Sequence, residues 1–359
     1  MKSILYKVLK KAAASANESG LFSGTKPFLK STIFGEPLPL SSILSNRSFA
    51  IFKDEKGNEF NLIERLRNAI KPGWQWVLQP DKNELPDGKK ARARLDLAND
   101  SIKKALSFLE CFGFQAEGKT ALEIGCYDGA RSFALAEQGI DQVTGSDIAR
   151  YYVRESDKDP DAAQKKSIYL EELRNMIRAA SKGPADKVRF IEDDITQSGL
   201  PAASVDLVCS WEVLEHVQDP AKLFYQINRL LKPGGIAFHE YNPFFAINGG
   251  HSWCTLDFLW GHVLLKDREF EKYLARFRPP EMNEALNFYN KSLNRMTMGE
   301  LERVSAEEGL NTLGLIPWTE KEHLELLTAS IFRQAKENYP SITAQDLSSP
   351  FVWVVQTKS

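Results

Sequence analysis

The sequence predicts an α/β fold, a doubly wound and largely parallel sheet with helices on both faces. Three observations predict it. Short apolar runs alternate with amphipathic helical stretches from about residue 95 onward. The runs between residues 188–191 and 205–210 are nearly continuous in apolar residues, as strands covered on both faces are. Residues 119–129 (KTALEIGCYDG) read as a buried strand that turns on Gly125 and Gly129 into a helical run ending at Gly139. Strand, glycine turn and helix start open a nucleotide-binding βαβ unit, because glycine admits a close ligand and the helix start offers free N–H groups.

Residues 1–90 read as an N-terminal accessory or cap extension. Residues 1–11 are basic and amphipathic, suiting a packed or frayed terminal helix, with rest on a membrane surface as the alternative. They lack the apolar core and cleavage site of a secretory signal. Gly, Pro and Ser mark residues 20–42 as loop. Residues 48–52, the turn at Lys56-Gly57-Asn58 and residues 60–70 suggest strand, turn and short helix.

Leu95, Ala98, Ile102, Ala105, Leu109 and Phe112 then share one helical face, and Gly113 supplies the stop. After the 120–124 strand and its helix, residues 143–146 form a second strand ending at Asp147. A helix over about 160–180 leads to the third strand, 188–191, and then the fourth, 205–210. Asp219-Pro220 opens a helix with Leu223, Ile227, Leu230 and Leu231 inward; Pro233-Gly234-Gly235 ends it and residues 236–240 begin the fifth strand. Thr297 and Glu300 make a capping box for a helix closed by Gly309, and residues 310–316 form a sixth strand. Thr319 and Glu322 make a second box, predicting one helix with Leu324, Leu327, Ile331 and Ala335 on one face. Residues 351–355 are a terminal strand.

Composition bounds the function classes. The 359 residues are 43% hydrophobic and 26% charged, enough for a sizeable core. A net charge of -2 gives no overall pull towards nucleic acid, and none is expected as a partner. The basic clusters at residues 89–94 and at Lys165-Lys166 read as solvated helix faces. Four cysteines, Cys111, Cys126, Cys209 and Cys254, stand far apart, which argues against both a zinc site and a disulfide framework. No apolar run is long enough to span a bilayer, so a cytoplasmic location is the expectation.

A dinucleotide fingerprint would place glycine where Tyr127 stands, and a pyrophosphate would gain nothing from Glu123. A nicotinamide dehydrogenase is therefore the least expected reading. A cationic ligand carrying an amino acid group and a ribose suits those residues better. Glu123-x-Gly125-x-x-x-Gly129, followed by Asp147, Asp194, Trp211-Glu212 and Lys232-Pro233-Gly234-Gly235, resembles the class I S-adenosylmethionine (SAM)-dependent methyltransferases, type 11-like subgroup. The resemblance runs to about Gly235, with weaker agreement beyond.

The resemblance implies a Rossmann-like sheet of seven strands, mostly parallel, with the last inserted antiparallel beside the sixth. It implies a methyltransferase domain over residues 91–359, with an insertion at 242–295 on the substrate side. It also implies SAM as cofactor. Gly125, Cys126, Tyr127 and Gly129 would wrap its methionine part, Glu123 would lie close by, and Asp147 would bond both ribose hydroxyls. A carboxylate suits that task, having two acceptor oxygens for two O–H donors. Ile148 would lie on the adenine and Asp194, with Ile195, would reach the adenine amino group; Asp193 is the alternative register. Trp211 and Glu212 would flank the cofactor.

Glu212-Val-Leu-Glu215-His216 resembles the E-x-x-E-H of ubiquinone-biosynthesis and small-RNA 2′-O-methyltransferases, where Glu, Glu and His hold a divalent metal. His251 could complete such a site here. In many type 11 enzymes the same His only faces the substrate side or packs, so the metal question stays open. Residues 242–265 carry two histidines and two tryptophans. They suit either a substrate wall with a general base or an aromatic mini-core. His216 and His251 are the candidate bases. His239 is expected to be structural, with Glu240 and Tyr241 facing the site. The implied activity is methyl transfer, most simply to oxygen, on a small-molecule or glycan-like (saccharide) acceptor. A non-catalytic SAM-binding scaffold or regulator and an RNA methyltransferase are the alternatives.

Overall fold

A computed structural model describes residues 39–79, 85–154 and 159–358. The basic segment 1–11 and most of the 20–42 loop reading lie outside the described residues. An antiparallel pair, β1 (Ser48–Lys53) and β2 (Glu59–Ile63), leads into the short helix Leu66–Ile70. Residues 60–70 thus divide into a strand and then a helix.

Seven further strands form one sheet: β3 (Thr120–Ile124), β4 (Gln142–Asp147), β5 (Val188–Glu192), β6 (Val205–Trp211), β7 (Leu231–Tyr241), β8 (Leu310–Trp318) and β9 (Phe351–Lys358). Their order is β5-β4-β3-β6-β7-β9-β8. The first five are parallel, and β9 runs antiparallel between β7 and β8. From β3 the chain goes first to one side, through β4 and β5, and then to the other, through β6 and β7. The order therefore reverses between β3 and β6, and in such sheets ligands bind beyond the carboxyl ends of the strands at that point.

Both faces of the sheet are covered, which is why its strands lack polar alternation. On one face Leu95 and Ile102 of helix Gly88–Glu110, Phe133 of helix Ala130–Glu137 and Ile177 of helix Ala162–Ala180 pack on Ala121, Val143 and Leu207. On the other, Leu223 and Ile227 of helix Pro220–Leu230 and Leu301 of helix Met298–Glu307 pack on Leu122, Val208 and Val354. Each fully buried Leu or Ile side chain contributes about 2 kcal/mol. A third core stands off the sheet. There Leu40, Phe52, Leu62 and Leu66 meet Phe244, Phe245, Trp260, Tyr273 and Tyr289. No described helix is long and apolar enough to cross a membrane.

Several local expectations are corrected. Leu231 starts β7 rather than ending the preceding helix, since Pro233 cannot continue that helix while the backbone of Leu231 pairs with Val205. The helix expected after Thr319 is two: Lys321–Leu326, and Ala329–Asn338 capped by Thr328, whose hydroxyl accepts from the Ile331 N–H. Thr319 instead lies against Gln345 and Ser349. Lys166 is buried, with its ammonium 5.0 Å from the Tyr169 ring, so that cluster is not simply a solvated face. Thr297 does cap its helix, accepting from the Glu300 N–H.

Candidate active site

The glycine turn is held by the ends of β3 and β4. The N–H groups of Gly125 and Cys126 both donate to the Ser146 carbonyl, and the Tyr127 N–H donates to the Asp147 carboxylate. Gly125 has φ +70°, and a Cβ there would come within 2.5 Å of Val213 Cγ2. Gly129 has φ +72°, and a Cβ there would meet Phe190 at 2.4 Å. Glycine is required at both positions for conformation and for space.

Asp147 is the meeting point of the loop. Its oxygens accept from the Ile148 N–H at 2.7 Å and from the Tyr152 hydroxyl at 2.9 and 3.1 Å. Arg174 reaches back from its helix to the loop: Nε donates to the Tyr127 carbonyl at 2.9 Å, and Nη2 lies 3.9 Å from Asp147. The same guanidinium approaches Cys126 Sγ at 3.4 Å and covers the Phe190 ring. Asp147, Arg174, Phe190 and Ile191 line a cavity of about 310 Å³.

Glu123 and Asp194 are not among that cavity's lining residues. Glu123 is buried behind the loop, where the Ser132 hydroxyl donates to it; burial pushes its pKa up to about 7, against the lowering effects of Ser132 and Arg131. Asp194 caps the turn Ile195–Gln197, accepting from the Thr196 N–H and hydroxyl and from Gln197. Ile195 is buried in the core. Trp211 is buried under the Arg131 guanidinium, 5.1 Å from its ring. Glu212 follows it at an exposed position, its N–H donating to the Glu240 carbonyl at 2.8 Å.

A second cluster forms where β6 gives way to the turn Leu214–His216. Asn294 braces that turn, its side-chain amide donating to the carbonyls of Leu214 and Val217 at 2.6 and 2.8 Å. One carboxylate oxygen of Glu215 and one ring nitrogen each of His216 and His251 lie within 4.8 Å of one another. Glu212 supplies no atom to this group. His216 Nδ1 stands 2.6 Å from the Ser292 carbonyl. A carbonyl can only accept, so Nδ1 holds the proton and Nε2 is left as an acceptor.

Glu215 Oε1 accepts from the Asn242 N–H at 3.1 Å, while Glu215 Oε2 and His251 Nε2 are buried without a hydrogen-bond partner. Burial pushes the Glu215 pKa well up and pulls those of His216 and His251 down, His251 the further, so both imidazoles are neutral at pH 7. A carboxylate with two neutral imidazoles is a donor set that a divalent transition metal accepts. The Ser292 carbonyl behind His216 is the second partner that a ligating histidine ordinarily has. The residues therefore fit such an ion.

Tyr127, Glu212 and His251 have φ of 42°, 54° and 50°. Such left-handed non-glycine residues concentrate at functional sites, where the surroundings hold them. A chain of rings joins the two clusters: Tyr127 to Tyr152 at 5.1 Å, Tyr152 to Tyr151 at 5.4 Å, Tyr151 to His216 at 5.5 Å and His216 to His251 at 4.9 Å.

Residues 95–313, more than half of the chain, match the family described as methyltransferase domain. The chain belongs to the class I SAM-dependent methyltransferases. SAM is the methyl donor of that family. Among curated proteins this methyltransferase is similar to the ubiquinone biosynthesis O-methyltransferase of Pseudomonas paraeruginosa, 34% identical over 121 residues (34% of this chain, 43% of that protein). The Idiomarina loihiensis protein of the same name is 31% identical over 133 residues, 37% of this chain and 46% of that one. The mitochondrial one of Dictyostelium discoideum is 26% identical over 145 residues, 40% of each chain. The chain thus spans less than half the length of these relatives. A SAM-dependent methyltransferase structure from Mesorhizobium loti aligns with 68% of this chain and 93% of its own, at 18% identity and a TM-score of 0.42.

Other expectations fare differently in this methyltransferase. His239 is buried and structural, its Nδ1 2.7 Å from the Ser210 hydroxyl. Glu240 and Tyr241 do not face the site: Glu240 accepts from Trp353 Nε1 at 2.6 Å, and Tyr241 is packed in the core beside Val352. Most of residues 242–265 is core, with Phe244, Phe245 and Trp260 fully buried; His251 is the residue it delivers to the cluster. Sequence reasoning missed Tyr151, Tyr152 and Arg174. Two adjacent tyrosines just after Asp147-Ile148 were the available sign of the first two; the arginine, midway along a helix, carried none.

Proposed function

We propose that this methyltransferase moves the methyl group of SAM to a hydroxyl oxygen of a small-molecule acceptor. The observation that carries the reading is the Glu215, His216 and His251 cluster, with two unpartnered polar atoms, joined by a line of rings to the Asp147 loop. The O-methyltransferase relatives support oxygen as the accepting atom. In this reading the turn at residues 125–129 wraps the methionine part, Asp147 takes the ribose hydroxyls in exchange for that of Tyr152, and Ile148 lies against the adenine. Glu123 acts from behind the loop, while Asp194 and Ile195 border the adenine end and Trp211 and Glu212 the methionine end. The described part of the N-terminal segment and residues 244–289, which share a core, together cap the acceptor side.

The sulfonium already activates the methyl group, so the protein's task is alignment of oxygen, carbon and sulfur in line, plus removal of one proton. His251 Nε2 takes that proton, and neutral His216, held by Ser292, keeps the acceptor oxygen in place. A specific observation favours a second reading, since the same three residues can hold a divalent cation through Glu215 Oε2, His216 Nε2 and His251 Nε2. Such an ion would supply Lewis acidity that lowers the acceptor hydroxyl's pKa.

The test is incubation with methyl-labelled SAM and a panel of hydroxylated small molecules, following S-adenosylhomocysteine (SAH) release. Label on oxygen supports the proposal. Loss of transfer on chelation, restored by a metal, selects the cation reading over the histidine base. Absence of both SAM and SAH binding removes the proposal.

A further inference from the structure

Arg174 belongs to the helix Ala162–Ala180, 47 residues beyond the glycine turn, yet its guanidinium is committed to that turn. Nε donates to the Tyr127 carbonyl at 2.9 Å, while Nη2 reaches Cys126 Sγ at 3.4 Å and stands 3.9 Å from Asp147 Oδ2. Glu171 and Glu192 share the cavity wall with Arg174, but the carboxylate it approaches is that of Asp147. The side chain is only 13% exposed, and a charge so far from water persists where its partners hold it. The guanidinium covers Phe190 at 4.8 Å from the ring centre. That ring fills the space in front of Gly129 and Gly145, where a Cβ would meet it at 2.4 and 2.7 Å. Helix, ring and turn are one packed stack.

Tyr127 links this stack to Asp147. Its φ of 42° is left-handed, a conformation that tyrosine keeps only where its surroundings fix it. Arg174 holds its carbonyl, and Asp147 accepts from its N–H. Once ribose hydroxyls replace the Tyr152 hydroxyl on Asp147, the N–H groups of Tyr127 and Ile148 remain to aim the carboxylate.

We propose that Arg174 is a positioning residue for ribose recognition: through Tyr127, and by its own charge, it aims the Asp147 carboxylate at the two hydroxyls of the SAM ribose. The inference rests on the cofactor reading above. A carboxylate already aimed loses little freedom when the cofactor arrives, so the gain appears as affinity.

The experiment measures calorimetric SAH binding by the full chain as wild type, Arg174→Met, Asp147→Asn and the double variant. Methionine keeps an unbranched stem over Phe190 and removes the charge and the donors. Arg174→Met should weaken SAH binding by about 10-fold, the low end for loss of one charged hydrogen bond. The double variant should bind no more weakly than Asp147→Asn alone, since Arg174 acts through that carboxylate; a merely structural residue would multiply the two losses. Arg174→Lys keeps the charge and loses the planar fork, so its loss should be smaller and follow the same rule. Melting temperatures show whether each variant is folded, and the Lys variant decides the case should Arg174→Met not fold. Unchanged SAH affinity in the folded variants, or losses that multiply, overturns the proposal. Failure of the cofactor reading shows separately, as absent SAH binding by the wild type or undiminished binding by Asp147→Asn.

Discussion

Glu123→Gln isolates the electrostatic state of the acid behind the glycine turn. The wild-type side chain is 2% exposed, and burial raises its pKa from an ordinary 4.5 to about 7. Because the folded pKa lies above the unfolded one, the stabilising contribution is fully present below pH 4.5. It is lost as pH rises towards 7, where the unfolded chain releases the proton more readily than the folded one. A difference of two to three units corresponds to about 3 kcal/mol at roughly 1.4 kcal/mol per unit. Gln has the same shape and no charge, and its amide can still meet the Ser132 hydroxyl. The stability gap between the Glu123→Gln variant and wild type should therefore be flat below pH 4.5, grow in favour of the variant between 4.5 and 7, and level off above. Urea unfolding across pH 4 to 8 measures it directly. Ser132→Ala, which removes the donor that favours the ionised form, should shift the wild-type midpoint upward. A gap that does not change with pH would refute the assignment of a buried, reluctantly ionised carboxylate at this position.

Other perturbations have equally definite outcomes. Asp147→Asn should weaken SAH binding by about 10- to 100-fold in calorimetry, since the charged acceptor of four neighbouring donor contacts is lost. Gly125→Ala should cost about 2 to 4 kcal/mol in urea unfolding, from the left-handed φ and the 2.5 Å contact with Val213; Gly125→Ala combined with Val213→Ala should recover only the contact part. His251→Asn should lower kcat by about 100-fold or more, with SAH affinity nearly unchanged, as a proton acceptor acts only in the transfer step. His239, whose pKa burial depresses from 6.5 to about 3, contributes stability above pH 6.5 that drains away as pH falls towards 3, by up to about 5 kcal/mol. Thermal melts of His239→Gln between pH 7 and 4 should show a shallower acid slope than wild type.

What was readable in the chain was what short-range chemistry dictates. The strand before Gly125, the turn at residues 125–129 and the acid closing β4 follow from local constraints, so Asp147 could be placed beside the loop from residue order alone. The Glu215-His216 pair and the distant His251 were likewise legible as residue types, and their convergence needed only the right loop to return. What was not readable depends on neighbours remote in sequence. Leu231 leaves its helix because Val205 offers it a strand partner. Thr319 fails as a cap because Gln345 and Ser349 engage its hydroxyl. Tyr241 turns into the core, although its position at a strand end suggested otherwise. Arg174 reaches the loop from 47 residues away, and no periodicity in its helix announces it.

The placement of β9 has a consequence for synthesis. β8 borders the sheet through β9 alone, so Leu310–Trp318 has nothing to pair with until Phe351–Lys358 has left the ribosome and slipped into the gap beside β7. Nascent chains halted short of that point should expose two unsatisfied strand edges, those of β7 and β8, and attract chaperones or one another.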